Sequence, residues 1–270
     1  MGEADNLLSF INDELKPLLT KHYRIAPNSV LIGHSYGGIL SFYSRQVNPS
    51  LFNAHIAISP SIFFDEQALV KSADKRFKNK ASTPNFLYMT LADERPEFAE
   101  SIKAYVNILD QYAPETMQWQ FESLPQETHM TSFHPAIIAG LKLLFDDWYI
   151  KDIPSLLKNG NIKSVKHQYQ KLSLKFGYDI EPPSEMITEA GFDFLSNNRI
   201  DEAIAAFQIN TLRYPHSGMA HFNLAQTYRS SDREDLSKDF IYKACRIGRQ
   251  YKEIAKAMFC HEASILGMTE

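Results

Sequence analysis

The chain has 270 residues, of which 44% are hydrophobic and 22% charged, with a formal net charge of −4. That length and balance suit one large globular domain or two smaller ones, and they give no electrostatic footprint for a nucleic-acid partner. No apolar run approaches the ~18 residues of a membrane span, and the two cysteines, Cys245 and Cys260, make neither a disulfide framework nor a metal-ligand spacing.

The opening MGEADNLLSFINDELKPLL lacks the basic start and apolar core of a signal peptide. Met-Gly is not followed by Ser or Thr where a myristoylation signal needs one. Leu7, Leu8, Phe10, Ile11, Leu15 and Leu18 recur at helical spacing, so residues 5–23 read as a helix that Pro17 kinks or shortens. Four short apolar runs follow: SVLIGH (29–34), AHIAISP (54–60), NFLYMTLA (85–92) and MQWQFESLP (117–125). The first two read as fully buried strands, while the last alternates and suits an edge. Helical patterns fill the intervals at 37–47, 65–78 and 96–112, and a further helix at 135–150 opens on Pro135, a first position that tolerates proline. Strands alternating with helices predict an α/β fold whose parallel sheet is covered on both faces.

The character changes after Trp148. Residues 151–183 carry Pro154, Gly160 and the sequence EPPS, and read as a connector with a helix near 161–175. From 184 onward only short amphipathic helices are expected. The domain division is therefore 1–150, a connector at 151–183, and an all-α segment at 184–270.

Between the first strand and its helix stands Gly33-His34-Ser35-Tyr36-Gly37-Gly38. G-x-S-x-G in this setting matches the turn that exposes a nucleophilic serine at the end of a strand. The chain reverses sharply there, so small residues are expected two before and two after the serine, and Gly38 lets the helix approach the sheet. The bland alternative is a glycine-rich turn with a solvated serine. On the sharper reading Ser35 projects from the apex, and the Tyr36 amide at the helix start faces a developing oxyanion.

Such a serine needs an acid and a histidine downstream. His129, in SLPQETHMTSFHP, follows the last strand and lies on the same face of a parallel sheet as the turn. His134 competes, but its place before Pro135 suits a residue leading into the helix. His34 adjoins the serine, with its side chain expected on the opposite side of the strand end. For the acid, Asp93, Glu94 and Glu97 all follow the third strand, and Glu94 is preferred; each is equally at home as a charge near a helix N-terminus. Tyr36, Phe63 and Phe64 either line a pocket or belong to the core, with Phe63 and Phe64 the better pocket candidates.

GHSYGG, AHIAISPSIFFDE, FLYMTLADE and LPQETHMTSFHPAIIAGLKLLF occur in that order, and together they resemble the esterase D-like family of α/β-hydrolases, which includes siderophore esterases. The resemblance covers roughly residues 5–150 and implies Ser35 as nucleophile, His129 as general base and Glu94 as the acid. Ala92-Asp93-Glu94 stands where relatives often carry Gly-Asn-Glu, and a Ser–His pair without an acid is an alternative. In that family several strands precede the nucleophile, whereas here its strand is the first. The chain is accordingly expected to be N-terminally truncated, holding the C-terminal half of the sheet, about four parallel strands. Its first strand should present an unpaired apolar edge, and one oxyanion donor should be missing, a loss on the order of 10²–10³ in rate.

EAGFDFLSNNRIDEAIAAFQINTLRYP resembles a tetratricopeptide repeat through Ala190, Gly191, Phe194, Ala203, Phe207 and Pro215. Shifting by the repeat's ~34 residues reaches Leu224, Ala225, Tyr228, Ile241 and Ala244, with a capping helix near 252–266. The resemblances imply a serine hydrolase of small or siderophore-like carboxylic esters, without a cofactor or metal. An acyltransferase would use the same acyl-enzyme. The alternative is an inactive remnant that binds a protein partner through its helical tail. Localisation stays open, because an export signal would sit in the missing part.

Overall fold

The computed structural model describes residues 3–78 and 85–267. The chain divides into two compact units, one of residues 1–147 with 175–178 and the other of 148–174 with 179–270.

The first unit opens with α1 (Ala4–Phe10) and α2 (Lys16–His22), joined by a π-helical segment at Ile11–Leu15. Pro17 explains the widening. Its ring crowds the carbonyl four residues back and it offers no amide, so the chain slips to a wider pairing in which the Lys16 amide reaches the Ile11 carbonyl. The helical path thus continues past the proline instead of breaking.

Four parallel strands follow: β1 (Val30–His34), β2 (Ala54–Ile58), β3 (Asn85–Asp93) and β4 (Met117–Thr128). They lie in the order β1-β2-β3-β4, so β1 and β4 form the edges among the described residues. Between them run α3 (Tyr36–Val47), α4 (Phe64–Lys78) and α5 (Pro96–Tyr112), and α6 (Phe133–Leu144) follows β4. Every residue of β2 is buried, polar His55 included, whereas in β1 only Gly33 is, so the expectation of full burial holds for β2 and not for the edge strand β1. Helices α3 and α6 both pack on β2. On α6, Gly140 lets the helix approach, since a Cβ there would sit 2.7 Å from Tyr88 and 2.9 Å from Ile56. Phe42, Leu87, Met89, Ile102, Tyr105 and Leu109 anchor a core that joins α3, β3 and α5.

Three boundaries differ from the sequence reading. Helix α6 starts at Phe133 rather than Pro135 and stops at Leu144, so the proline falls third in the helix. There it is still harmless, because the first four amides of a helix have no intrahelical acceptor. Strand β4 runs on to Thr128. Just inside α4, Asp65, Glu66 and Gln67 take φ of 52°, 48° and 60°, a left-handed turn that costs L-residues roughly 1–2 kcal/mol each.

The second unit is helical: α7 (Ile153–Leu157), α8 (Ile162–Phe176, whose last two residues count with the first unit), α9 (Ser184–Ser196), α10 (Ile200–Arg213), α11 (Gly218–Ser230), α12 (Glu234–Gln250) and α13 (Lys256–Ile265). From α9 onward each helix packs on the next. Small residues set the spacing: a Cβ on Gly191 would meet the Phe207 ring at 2.4 Å. Cys245 and Cys260 form a disulfide, where the sequence reading saw no framework. The chain reverses between α12 and α13, and that reversal brings together two cysteines 15 residues apart.

Candidate active site

The site begins with the turn that follows β1. Ser35 has φ 59° and ψ −113°, a strained conformation for a residue with a Cβ, and it joins β1 directly to α3. Backbone hydrogen bonds hold it. Its amide donates to the Ile58 carbonyl at 3.0 Å, and its carbonyl accepts from Ser61 and Ile39, both at 3.2 Å. Gly33 is obligatory, because a Cβ there would lie 2.0 Å from the Gly37 carbonyl oxygen. Gly38 is needed against Pro60, 2.7 Å from its notional Cβ. The sequence reading also asked for a small residue at Gly37, but a Cβ there meets nothing within 4 Å. The close approach is made by Gly37's backbone, not by the space around its α-carbon.

The β3–β4 pairing sets the second half of the site. The two strands run in register from Asn85 to Ala92, then slip, so that Asp93 pairs with Thr128 rather than the next residue of β4. The slip brings the two strand ends level. Glu94 and His129, the next residue on each chain, therefore emerge side by side. His129 Nδ1 lies 2.6 Å from Glu94 Oε1. A carboxylate only accepts, so Nδ1 carries the proton and Nε2 of the neutral ring is left as the acceptor. Asp93 is exposed, and Glu97 is engaged by Arg95 at 3.2 Å. Of the three acids, Glu94 is the one that meets His129. His134 is exposed on the first turn of α6.

Ser35 Oγ has a different neighbour. It lies 3.2 Å from the hydroxyl of buried Ser61, and no hydrogen bond joins it to His129. Ser61 was not singled out from the sequence. Its nearness follows from the β1–β2 register, which sets His34 beside Ile58 and so carries the segment after β2 past the turn.

His34 also departs from expectation. Its side chain was expected on the opposite side of the strand end, yet its ring lies 4.5 Å from the His129 ring and its Nε2 2.8 Å from the His129 carbonyl oxygen. That contact joins residues 95 positions apart, and alternation along the strand does not capture it.

Aromatic groups surround these residues. Phe98 stands edge-on to His129 at 5.5 Å, and half-buried Phe63 packs on Phe98 at 4.5 Å, with Arg95 over both rings. On the other side a cleft of about 520 Å³ is lined by Tyr36, Ile39, Tyr43, Ser61, Phe64 and Leu69, among others. Tyr36 and Phe64 meet edge to face at 5.3 Å, and both rings are exposed. Phe64 thus lines the cleft while Phe63 sits in the wall near His129. Among the described residues no three His, Cys, Asp or Glu side chains gather as a metal site would need.

Residues 1–126 match the protein family described as "Putative esterase". Over 86 residues the chain is 31% identical to the siderophore enterobactin esterase of Emericella nidulans, a match spanning 30% of this chain and 27% of that protein. The chain therefore covers about a quarter of that curated relative. A crystal structure of an IroE-like serine hydrolase from Shewanella oneidensis superposes with a TM-score of 0.66 at 24% identity, covering 79% of this chain and 68% of that one. An uncharacterised protein from Capnocytophaga ochracea gives a TM-score of 0.69 at 17% identity, covering 100% of this chain and 76% of that one. In sequence, residues 1–126 are thus similar to esterases. The superposed structures show that this chain shares the hydrolase's α/β fold with its parallel sheet.

Proposed function

We propose that the chain is a serine carboxylic-ester hydrolase working through an acyl-enzyme. The observation that carries this reading is the His129–Glu94 pair at 2.6 Å, set beside a serine at φ 59° on a strand-to-helix turn. Ser35 Oγ attacks the ester carbonyl and His129 Nε2 takes its proton. The tetrahedral intermediate collapses, the alkoxide leaves with the proton held by His129, and water repeats the sequence to release the acid. Glu94 keeps the proton on Nδ1, so Nε2 stays basic. The Tyr36 amide, at the positive end of α3, faces the oxyanion. In this reading Ser35 Oγ exchanges its contact with Ser61 for one with His129 when substrate binds, as catalytic hydrogen bonds often tighten only in the complex.

Phe63 and Phe64 would contact the substrate, Phe64 from the cleft and Phe63 from the wall beside His129. The relative's action on enterobactin makes a siderophore-like ester the substrate class to try first. An acyltransferase would share every step up to the acyl-enzyme. The helical unit fits a tetratricopeptide-like tail that binds a protein partner. Asn198 and Asp232 both take positive φ, after α9 and α11, and both turns close with an amide returned five residues back, from Arg199 to Phe194 and from Arg233 to Tyr228. The same turn recurs one repeat length on, as stacked helix pairs require.

A second reading has its own observation. Ser35 Oγ is bonded to Ser61 and not to His129, the arrangement an inactive remnant would also show. Labelling of the purified chain with a fluorophosphonate probe separates the two, with Ser35→Ala as control. Labelling lost in the variant supports the hydrolase. A folded parent chain that takes no label overturns it and leaves the protein-binding remnant.

A further inference from the structure

Serine and histidine come from opposite edges of the sheet. β1 and β4 are the outer members of the order β1-β2-β3-β4. At about 4.8 Å per strand their ends stand roughly 14 Å apart. The segment after β4 must therefore run back across the ends of β3 and β2 before His129 comes near Ser35. Glu94 does not explain that return, because it leaves β3, the strand next to β4, and holds the imidazole from that side only.

His34 spans it. Its Nε2 lies 2.8 Å from the His129 carbonyl oxygen across 95 residues of sequence. A carbonyl oxygen only accepts, so Nε2 carries the proton and donates. The same oxygen accepts from the Ser132 hydroxyl at 3.0 Å, and Ser132 is fully buried. One carbonyl is thus gripped locally by Ser132, within its own turn, and at long range by His34, from the other edge of the sheet. The His34 ring also packs on His129 at 4.5 Å and on Phe133 at 6.0 Å. Because His34 precedes Ser35 in the chain, any shift of the turn is passed directly to the segment that carries the base.

We infer that His34 is a positioning residue: its Nε2–H, donated to the His129 carbonyl, ties the segment after β4 to the serine turn and sets the reach of His129 to Ser35. Its effect on rate rests on the hydrolase reading above. The tie itself does not.

The test compares His34→Gln with His34→Asn in the full chain. A glutamine amide presents its N–H near the place of Nε2 and can reach the carbonyl. An asparagine ends one bond earlier and cannot. Both are polar and suit a half-buried site, and His34→Phe, which keeps the ring contacts without the donor, serves as a third variant. Two readouts are taken on samples whose thermal unfolding matches the parent: hydrogen exchange of the amides in segment 129–133, and the rate of fluorophosphonate labelling at Ser35. Displacing a base by about an ångström, or removing an outer hydrogen bond to a catalytic group, costs on the order of 10–100-fold. Exchange in 129–133 should therefore quicken, and labelling should slow by roughly that factor, in the Asn and Phe variants. The Gln variant should return both towards the parent. Parental exchange in the Asn variant, or a Gln variant as impaired as Asn, overturns the inference, the second by showing that ring packing matters and the donor does not. If the parent takes no label, the hydrolase reading falls and the exchange comparison alone decides the tie.

Discussion

The Glu94 carboxylate lies 2.6 Å from His129 Nδ1, and its side chain is 6% exposed against 29% for the imidazole it faces. A carboxylate so enclosed holds the ring in one tautomer. Glu94→Gln removes that control, because an amide N–H can donate to Nδ1 and move the ring proton to Nε2, where it blocks the base. Labelling of Ser35 and ester hydrolysis should then fall by roughly 10²–10⁴-fold. Glu94→Asp, with the charge kept but the reach shortened, should fall less. Asp93→Asn and Glu97→Gln should stay near the parent, since Asp93 faces solvent and Glu97 pairs with Arg95. A Glu94→Gln chain that labels at the parental rate would mean that a Ser–His pair suffices.

The three glycines around the serine should respond differently to the same substitution. Gly33→Ala drives a methyl to 2.0 Å from a backbone oxygen that cannot move without opening the turn. Overpacking of that kind should cost at least about 3 kcal/mol, or prevent folding. Gly38→Ala meets Pro60 at 2.7 Å and should also destabilise. Gly37→Ala finds open space in the first turn of α3 and should be neutral or stabilising by up to about 1 kcal/mol. Urea unfolding of the three variants checks the order, and a Gly37→Ala loss as large as that of Gly33→Ala would contradict it.

These residues also show what could be read from the sequence. β2 and β3 announce themselves as apolar runs between turn residues, because burial on both faces of a parallel sheet demands them, while β1 and β4, at the edges, are only partly buried and β4 shows it by alternating. Ser35 stands out because the turn's backbone needs glycine at fixed offsets. The placement of Glu94 beside His129 was open among three acids, since it depends on a register slip at Asp93 that no local pattern encodes. Ser61 was missed and the direction of the His34 side chain misjudged for a related reason: one comes near through the β1–β2 register, the other through a contact to a residue 95 positions away. The disulfide was missed because it depends on how α12 and α13 fold back on each other, and two cysteines carry no such information by themselves.

The serine's backbone offers a separate test of strain. At φ 59° and ψ −113° any residue with a Cβ is held in a sparsely populated region, at a cost of about 1–3 kcal/mol, which glycine avoids. Ser35→Ala and Ser35→Gly both lose the hydroxyl and its contact with Ser61, so the comparison between them isolates the backbone. Ser35→Gly should be the more stable by about 1 kcal/mol, the relief of strain being partly offset by the looser unfolded chain. Equal stabilities would show that the turn is not strained.

Alkaline stability should depend on Tyr169. Its ring is 2% exposed on α8, and burial, with smaller contributions from Tyr149 and Tyr214, pushes its hydroxyl up from 10 to about 12. The folded state therefore keeps a proton that the unfolded chain gives up near the ordinary value. Where the unfolded state binds fewer protons, stability falls as pH rises. The contribution is complete below pH 10 and is lost as pH climbs to about 12. Tyr88 acts in the same sense, raised further by burial and by its hydrogen bond to Glu122. Urea midpoints measured across that window should decline steeply for the parent. In Tyr169→Phe the decline should be shallower, whatever the variant's stability at neutral pH, because no proton remains to be held at that position. Parallel slopes would place the alkaline transition elsewhere, with Tyr88 the next group to test.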